Sequence, residues 1–137
     1  MNISIIGQGF VGLSLSVVLG SKNFSVNAIE NNFDKLSQLR AGKSPFYEPK
    51  LNFFLKKSLK TKKLQFFDSI KNIFDKTNII FITVPTPNKN GKIDLTYIEN
   101  VIKNLIPLID NSSKKITIVI KSTIAPGTTE KFIIPLL

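Results

Sequence analysis

Short apolar runs alternate with helix-like segments from one end of the 137-residue sequence to the other. Five of these runs are typical of strands, and the fourth is apolar on both faces, as a strand inside a parallel sheet should be. The predicted strands cover residues 3–7, 25–30, 64–67, 78–85 and 115–122. Such alternation predicts an α/β fold with a doubly wound, Rossmann-like parallel sheet and helices on both faces.

The predicted helices carry their own start and stop signals. Gly20 is placed to end the first helix, Pro49 suits the first turn of the third, and Asp94 is a helix N-cap. The helical segments are 10–20, 31–42, 49–59, 69–76, 128–137 and a segment after Asp94. That segment has apolar residues at helical spacing, namely Leu95, Ile98, Ile102, Leu105 and Ile109. No linker or internal repeat interrupts them, so we expect a single domain over residues 1–137.

Composition removes several classes of function. The chain has no Cys and no His, which excludes disulfides, thiolate chemistry and the commonest general base within it. The formal charge of +10 raises a nucleic-acid hypothesis, for which the lysine-rich stretch 56–63 is the candidate surface. Arg40 is the only arginine, so we interpret that stretch as a solvated helix face and expect no nucleic-acid partner. Without a leader-like or membrane-spanning run, we expect a cytoplasmic protein with no membrane partner.

The sequence GQGFVG has the pattern G-x-G-x-x-G directly after the first predicted strand. Gly7 permits a tight turn, Gly9 lets a pyrophosphate approach the backbone, and Gly12 lets the helix pack closely on the sheet. The helix N-terminus then attracts phosphates through its free N–H groups and its dipole. Glu30 ends the second predicted strand, which is where this dinucleotide-binding pattern requires an acidic residue.

Glu30 favours NAD over NADP, because a carboxylate accepts hydrogen bonds from ribose hydroxyls and repels a 2′-phosphate. Two alternatives stay open at this point. Glu30 could simply cap the helix that begins at Asn31, and methyltransferases that bind S-adenosylmethionine share a glycine-rich loop with an acidic second strand. Their loops are usually less strict than G-x-G-x-x-G.

Four segments together resemble the UDP-glucose/GDP-mannose dehydrogenase family over essentially the whole chain. They are ISIIGQGFVGLSL, SPFYEPKL, FITVPTPNKNGKIDLTYIE and IKSTIAPGTT, in the family's order and spacing. Within the family, YEP and DLTYIE look most like the UDP-glucose 6-dehydrogenases. Enzymes acting on UDP-N-acetylhexosamines or GDP-mannose share VPTP-type segments and remain alternatives.

The resemblance implies an NAD site in which each contact occupies a matching position. Val11 supplies a backbone group to the pyrophosphate, Lys35 contacts the adenosine end, and Thr86 lies along the cofactor. Thr123, beside Ser122, stands where the family orders active-site water near the nicotinamide. The full set of implied cofactor contacts is Gly7, Gln8, Gly9, Phe10, Val11, Gly12, Glu30, Lys35, Val84, Thr86, Pro87, Ser122 and Thr123.

The resemblance also implies a chemistry that this chain does not complete alone. The family oxidises a sugar C6 alcohol to a carboxylate with two NAD, using a Cys nucleophile that lies beyond the equivalent of Leu137. We therefore expect the N-terminal part of a longer, homodimeric or larger dehydrogenase, truncated before the last strand of its cofactor domain. By itself the chain should bind NAD without turnover. A non-catalytic NAD-binding module and a 3-hydroxyacid dehydrogenase relative are the remaining alternatives.

Overall fold

A computed structural model describes all of residues 1–137 and shows a five-stranded parallel sheet of Rossmann-like topology. Its strands are β1 (Asn2–Ile6), β2 (Ser25–Ile29), β3 (Leu64–Phe67), β4 (Ile79–Ile82) and β7 (Thr117–Ile120). Strands β5 (Asn88–Lys89) and β6 (Lys92–Ile93) form a separate small hairpin. The spatial order is β3-β2-β1-β4-β7, so the chain moves outward in one direction from β1 and then returns to its other side at β4. The strand order therefore reverses between β1 and β4, and ligands of such sheets bind at that point.

Four α-helices and several tighter turns connect the strands. The α-helices are α1 (Phe10–Ser21), α2 (Phe33–Arg40), α3 (Leu51–Lys60) and α4 (Thr96–Asp110). A 3₁₀ helix spans Lys71–Lys76, and the C-terminal segment forms a π-helical turn (Thr129–Ile133) followed by a 3₁₀ turn (Ile134–Leu136). None of the helices is both long enough and apolar enough to cross a bilayer.

The sheet is covered on both faces, which confirms the predicted layer arrangement. On one face, Ile3 and Ile5 of β1 pack with Leu13 of α1 and with buried residues of α2 and α3. On the other face, Ile80 of β4 packs with Ile102 of α4 and with the Lys71–Lys76 helix. Alternate residues of one strand thus belong to two separate hydrophobic clusters, as the period of a β-strand requires.

The stop signal of the first helix was misinterpreted in the sequence. Gly20 does not end α1, which continues to Ser21, and the left-handed residue beyond it is Asn23, with φ of 69°. Gly20 is buried instead, and a Cβ there would lie 3.1 Å from the Cβ of Ser58 and 3.2 Å from that of Leu64. It is glycine because α3 and β3 pack closely on it.

Two other boundaries also differ from the prediction. α3 begins at Leu51 after the left-handed Lys50, so Pro49 lies before the helix. β4 covers only Ile79–Ile82, because the chain turns away into the loop that carries the VPTP sequence. The turn predicted at Asn90-Gly91 is confirmed by two positive φ angles, and it joins a small hairpin of β5 (Asn88–Lys89) and β6 (Lys92–Ile93) that was not predicted.

Candidate functional site

A cleft of about 640 Å³ opens at the carboxyl ends of β1, β2 and β4, where the strand order reverses. Its lining comes from the glycine turn after β1, the segments after β2, β3 and β4, and one side of α4. The residues that line it are Ile6, Gly7, Gln8, Gly9, Ile29, Glu30, Asn31, Lys35, Asp68, Ser69, Ile70, Lys71, Val84, Pro85, Tyr97, Asn100, Val101, Asn104 and Leu105. The glycine motif and Glu30 therefore face the same cavity.

Two of the three glycines of the motif have a geometric reason within the protein to lack a side chain, and the third does not. Gly7 has φ of +94°, which favours glycine, and a Cβ there would lie 3.0 Å from the Thr83 carbonyl oxygen. A Cβ on Gly12 would lie 1.8 Å from the Gly7 carbonyl oxygen, so only glycine fits this helix against the turn. A Cβ on Gly9 would meet no atom within 4 Å, which leaves open space beside the backbone.

Thr83, immediately after β4, fixes the glycine turn and was missed in the sequence. Its hydroxyl lies 2.9 Å from the Ile6 carbonyl oxygen and 2.7 Å from that of Gly7, so its one hydrogen is placed between these two acceptors. The side chain is buried. A lone threonine in the apolar run FITVP carries no sequence signal for this role, because the acceptors lie more than seventy residues away in the chain.

The first turn of α1 is open to a ligand. No side chain caps its N-terminus, and no acidic residue lies in its first turn. Phe10 and Val11 are both exposed there, and the Phe10 ring stacks on Phe46 of the SPFYEP loop with ring centroids 4.1 Å apart. The free N–H groups and the helix dipole make this turn suitable for an anion.

Gln8 takes a structural position in the glycine turn. Its side chain is fully buried, donating to the Ile5 carbonyl oxygen at 2.9 Å and accepting from the Ser16 hydroxyl at 3.0 Å. Its backbone N–H points to Glu30 Oε2 at 3.3 Å. The implied cofactor contact of Gln8 is therefore limited to main-chain atoms, since both polar ends of its side chain are already bonded inside the protein.

Glu30 is nearly buried, and both of its carboxylate oxygens are engaged. Oε1 accepts from the backbone N–H of Asn32 at 3.0 Å, while Oε2 forms an ion pair with Lys35 Nζ at 2.7 Å. Asn32 itself caps α2 by accepting from the Lys35 N–H at 2.9 Å. The helix thus has its own cap, and Glu30 is held at the cleft by three donors, with lone pairs left for a ligand hydroxyl.

The residues predicted after β4 and β7 lie beside each other but mostly outside the cleft. The Ser122 hydroxyl donates to the Val84 carbonyl oxygen at 2.7 Å, and the Thr86 hydroxyl donates to the Thr123 carbonyl oxygen at 2.8 Å. These bonds join the two loops. The Thr123 side chain is exposed, as is Pro87, and Val84 alone of this group lines the cleft.

Two walls of the cleft were not predicted from the sequence. One is the segment Asp68–Lys71 after β3, and the other is the side of α4 that carries Tyr97, Asn100 and Asn104. The sequence reading of α4 used only its buried apolar stripe. No group of three or more Asp, Glu, His or Cys side chains gathers anywhere in the chain to hold a metal ion.

Comparison with known proteins gives a consistent result over the whole chain. The sequence model of the UDP-glucose/GDP-mannose dehydrogenase family, NAD binding domain, matches residues 1–137. A UDP-glucose 6-dehydrogenase of Rickettsia conorii is 37% identical over 134 residues, which is 97% of this chain and 30% of that protein. The chain thus spans about a third of the length of the curated relatives it matches.

Solved structures of related proteins also have a closely similar fold. A ternary complex of GDP-mannose dehydrogenase from Pseudomonas aeruginosa aligns with a TM-score of 0.95 and 35% identity, covering 99% of this chain and 31% of that one. A UDP-glucose dehydrogenase from Pyrobaculum islandicum aligns with a TM-score of 0.91 and 31% identity, covering 98% of this chain and 32% of the other.

Proposed function

Since the chain belongs to the UDP-glucose/GDP-mannose dehydrogenase family and matches its NAD-binding domain, we propose that its cleft binds NAD for a nucleotide-sugar 6-dehydrogenase. One observation carries the proposal. The glycine turn, the uncapped start of α1 and the Glu30 carboxylate all meet at one cleft, at the point where the strand order reverses.

The residues present fit a dinucleotide. The open space at Gly9 admits a pyrophosphate to the backbone, and the first turn of α1 offers N–H groups and the positive end of a helix dipole. Glu30 offers lone pairs to the hydroxyls of the adenosine ribose. When bound, NAD supplies the hydride acceptor, and the residues of this chain hold and orient it.

Glu30 and Lys35 together favour NAD over NADP. The carboxylate repels a 2′-phosphate, and the lysine that could otherwise bind such a phosphate is paired to that carboxylate at 2.7 Å. Calorimetric titration of this chain with NAD and, separately, NADP tests the proposal. We expect saturable NAD binding with NADP weaker by about tenfold, equivalent to about 1.4 kcal/mol. No NAD binding by a chain that is folded by circular dichroism would contradict it.

The free Thr123 hydroxyl is the group that we assign to the nicotinamide half of the cofactor. Thr123 lies just after β7, and the Thr86 hydroxyl donates to the Thr123 carbonyl oxygen. This bond holds the loop that carries Thr123 in place. Ser122 supports the same loop through its bond to Val84. Within the proposal, the hydroxyl of Thr123 positions active-site water and Ser122 positions Thr123.

UDP-glucose is the substrate that we propose for the complete enzyme. The support is the 37% identity to the Rickettsia UDP-glucose 6-dehydrogenase together with the YEP and DLTYIE segments. GDP-mannose is the alternative, supported by the 35% identity to the Pseudomonas aeruginosa GDP-mannose 6-dehydrogenase. UDP-N-acetylhexosamine enzymes are supported less, because their matching structures show lower identity.

The substrate assignment is tested with the protein that the natural gene encodes. NADH formation is followed spectroscopically with UDP-glucose, GDP-mannose and UDP-N-acetylglucosamine in separate assays. We expect turnover with UDP-glucose and two NAD reduced for each sugar oxidised. Turnover with GDP-mannose alone would replace the substrate assignment, and NAD binding without any turnover would favour a non-catalytic NAD-binding module.

A further inference from the structure

We propose that Asn100 and Asn104 of α4 recognise the base of the cofactor and make the site selective for adenine. This inference rests on the proposed NAD function, because it concerns another part of the same cleft. Neither residue belongs to the motifs through which the chain resembles its family, and neither was predicted to contact a ligand.

The cleft that holds Gly9 and Glu30 is also lined by residues of α4 and of the segment after β3. In NAD, the pyrophosphate is bonded to the adenosine ribose and that ribose to the base. With the pyrophosphate at the Gly9 turn and the ribose at Glu30, the base has to occupy the remaining part of the cleft. That part is bounded by Ile29, Ile70 and the inward side of α4.

The α4 wall is a continuous stripe of one helix face. Its lining residues are Tyr97, Asn100, Val101, Asn104 and Leu105, which repeat at the three- and four-residue spacing of a helix. The stripe is roughly 12 Å long at the α-helical rise. Apolar groups from Val101 and Leu105 alternate along it with the two carboxamides, so a flat heterocycle could pack on the apolar surface and direct its polar edge to an amide.

The two carboxamides are free to bind a ligand. Hydrogen bonds of side chains in and next to α4 are confined to its ends, at Thr96 and Asn111, and its one ion pair joins Lys103 to Glu99. Asn100 and Asn104 are both exposed and take part in none of these. They are also neutral, so their binding would depend on hydrogen-bond pattern and little on charge.

A carboxamide matches the edge of adenine better than that of other purines. Its oxygen accepts from the adenine N6 amino group while its NH₂ group donates to N7, giving a bidentate pair. In hypoxanthine, position 6 carries a carbonyl oxygen, so the same edge presents two acceptors and the amide oxygen has no donor to meet. A site that uses these amides at the N6/N7 edge should therefore bind hypoxanthine more weakly than adenine, since one hydrogen bond is lost.

Calorimetric titration of the chain with NAD and with nicotinamide hypoxanthine dinucleotide tests the inference, because the two molecules differ only in the base. We expect the wild-type chain to bind NAD about tenfold more tightly than the hypoxanthine analogue. The double variant N100L/N104L should bind NAD and the hypoxanthine analogue about equally well, while it retains the preference for NAD over NADP. Leucine keeps nearly the same size and removes both hydrogen-bonding groups.

The substitution N72L is the matched control, since Asn72 is exposed in the Lys71–Lys76 helix but does not line the cleft. It should keep the tenfold base preference. Equal binding of the two dinucleotides by the wild-type chain, or a preference that survives in N100L/N104L, would overturn the inference and leave NAD binding intact. Failure of the wild-type chain to bind either dinucleotide would instead overturn the proposed function and this inference with it.

Discussion

Two regions of the site use polar groups in opposite ways. The glycine-turn region comprises residues 7–12 with Glu30, and the hydroxyl region comprises residues 84–87 with Ser122 and Thr123. In the glycine-turn region, the residues proposed to contact the ligand include Gly7 and Gly12, which pack α1 against the sheet, and Gln8, whose N–H holds Glu30. In the hydroxyl region, Ser122 and Thr86 bond main-chain carbonyls, while the Thr123 side chain is exposed.

This difference predicts that stability and ligand binding are coupled in the glycine-turn region and separable in the hydroxyl region. A change in the glycine-turn region should usually alter both quantities, because a single close contact determines the turn and the cofactor surface. In the hydroxyl region, a change at Ser122 should affect the free energy of unfolding, and a change at the neighbouring Thr123 should affect kcat. Substitutions of neighbouring residues can test this distinction directly.

The largest effect is expected at Gly12. In G12A, the new Cβ would lie 1.8 Å from the Gly7 carbonyl oxygen and 2.6 Å from Thr83 Oγ1, so the turn must rebuild. We expect a loss of about 3 kcal/mol or more in the free energy of unfolding, and no measurable NAD binding. Urea denaturation followed by circular dichroism measures the first quantity, and calorimetry the second.

Gly9 is the exception that sharpens the comparison within the same turn. In G9A, the new methyl group meets no protein atom within 4 Å, so the midpoint of urea denaturation should stay at the wild-type value. NAD affinity should nevertheless fall, because the methyl group occupies the space assigned to the pyrophosphate. Unchanged NAD affinity in G9A would contradict that assignment.

The next largest effect is expected at Glu30. In E30Q, the amide cannot serve all three donors that now surround the carboxylate, and Lys35 loses its partner. We expect a loss of about 1–3 kcal/mol in the free energy of unfolding. The roughly tenfold preference for NAD over NADP should also disappear, since the charge that repels a 2′-phosphate is gone. Titration with both dinucleotides measures the preference.

The substitution K35M separates the two members of this ion pair. It removes the ammonium group but leaves Glu30 held by the backbone N–H groups of Gln8 and Asn32. NAD should remain preferred over NADP in this variant. If K35M rather than E30Q removed the preference, Lys35 would be the residue that selects the cofactor.

In the hydroxyl region, Ser122 and Thr123 should separate stability from chemistry. The Ser122 hydroxyl bonds the Val84 carbonyl oxygen, so S122A should lower the free energy of unfolding by about 1 kcal/mol. The Thr123 hydroxyl is exposed, so T123A should leave that free energy within about 0.5 kcal/mol of wild type. In the natural gene product, T123A should lower kcat more than S122A does. The reverse order of kcat values would contradict the role assigned to Thr123.

The sequence specified the glycine-turn region well because its constraints are local. The spacing of Gly7, Gly9 and Gly12 follows from one turn and one helix start, and Glu30 follows from the end of one strand. Gly20 was misread because its reason is a contact with α3 and β3, which lie far along the chain. The same distance hid Thr83, whose acceptors belong to β1 and its turn.

The α4 wall was missed for a different reason. The apolar positions of a helix are visible in a sequence because burial selects them, and Ile98, Ile102 and Leu105 were correctly identified as such. Asn100 and Asn104 are exposed polar residues, which are common on any solvated helix. Their i, i+4 spacing beside Val101 and Leu105 was a readable pattern, yet only the fold shows that this stripe lines the same cleft as Glu30.

The smallest predicted effect concerns the start of α4, which determines where that wall begins. Two donors of Thr96, its hydroxyl with the larger effect and its backbone N–H with the smaller, donate to Asp94. These bonds hold the pKa of the Asp94 carboxyl below the ordinary value of 3.8. A lowered pKa in the folded state means that the unfolded chain takes up the proton first. The stabilisation is therefore fully present above the ordinary pKa and is lost as the pH falls through the folded value.

The substitution D94N isolates this contribution, because the N-cap of α4 is Leu95 and not Asp94, and the asparagine side-chain oxygen can still accept both bonds from Thr96 but does not titrate in this range. At neutral pH, the two proteins should unfold at similar temperatures. Between about pH 5 and about pH 3, the wild-type melting temperature should fall slightly more steeply than that of D94N, since only the aspartate loses its charge. Parallel curves would mean that Thr96 stabilises the helix equally well with either side chain. The difference should be small because Asp94 lies at the surface, where its charge is screened by water.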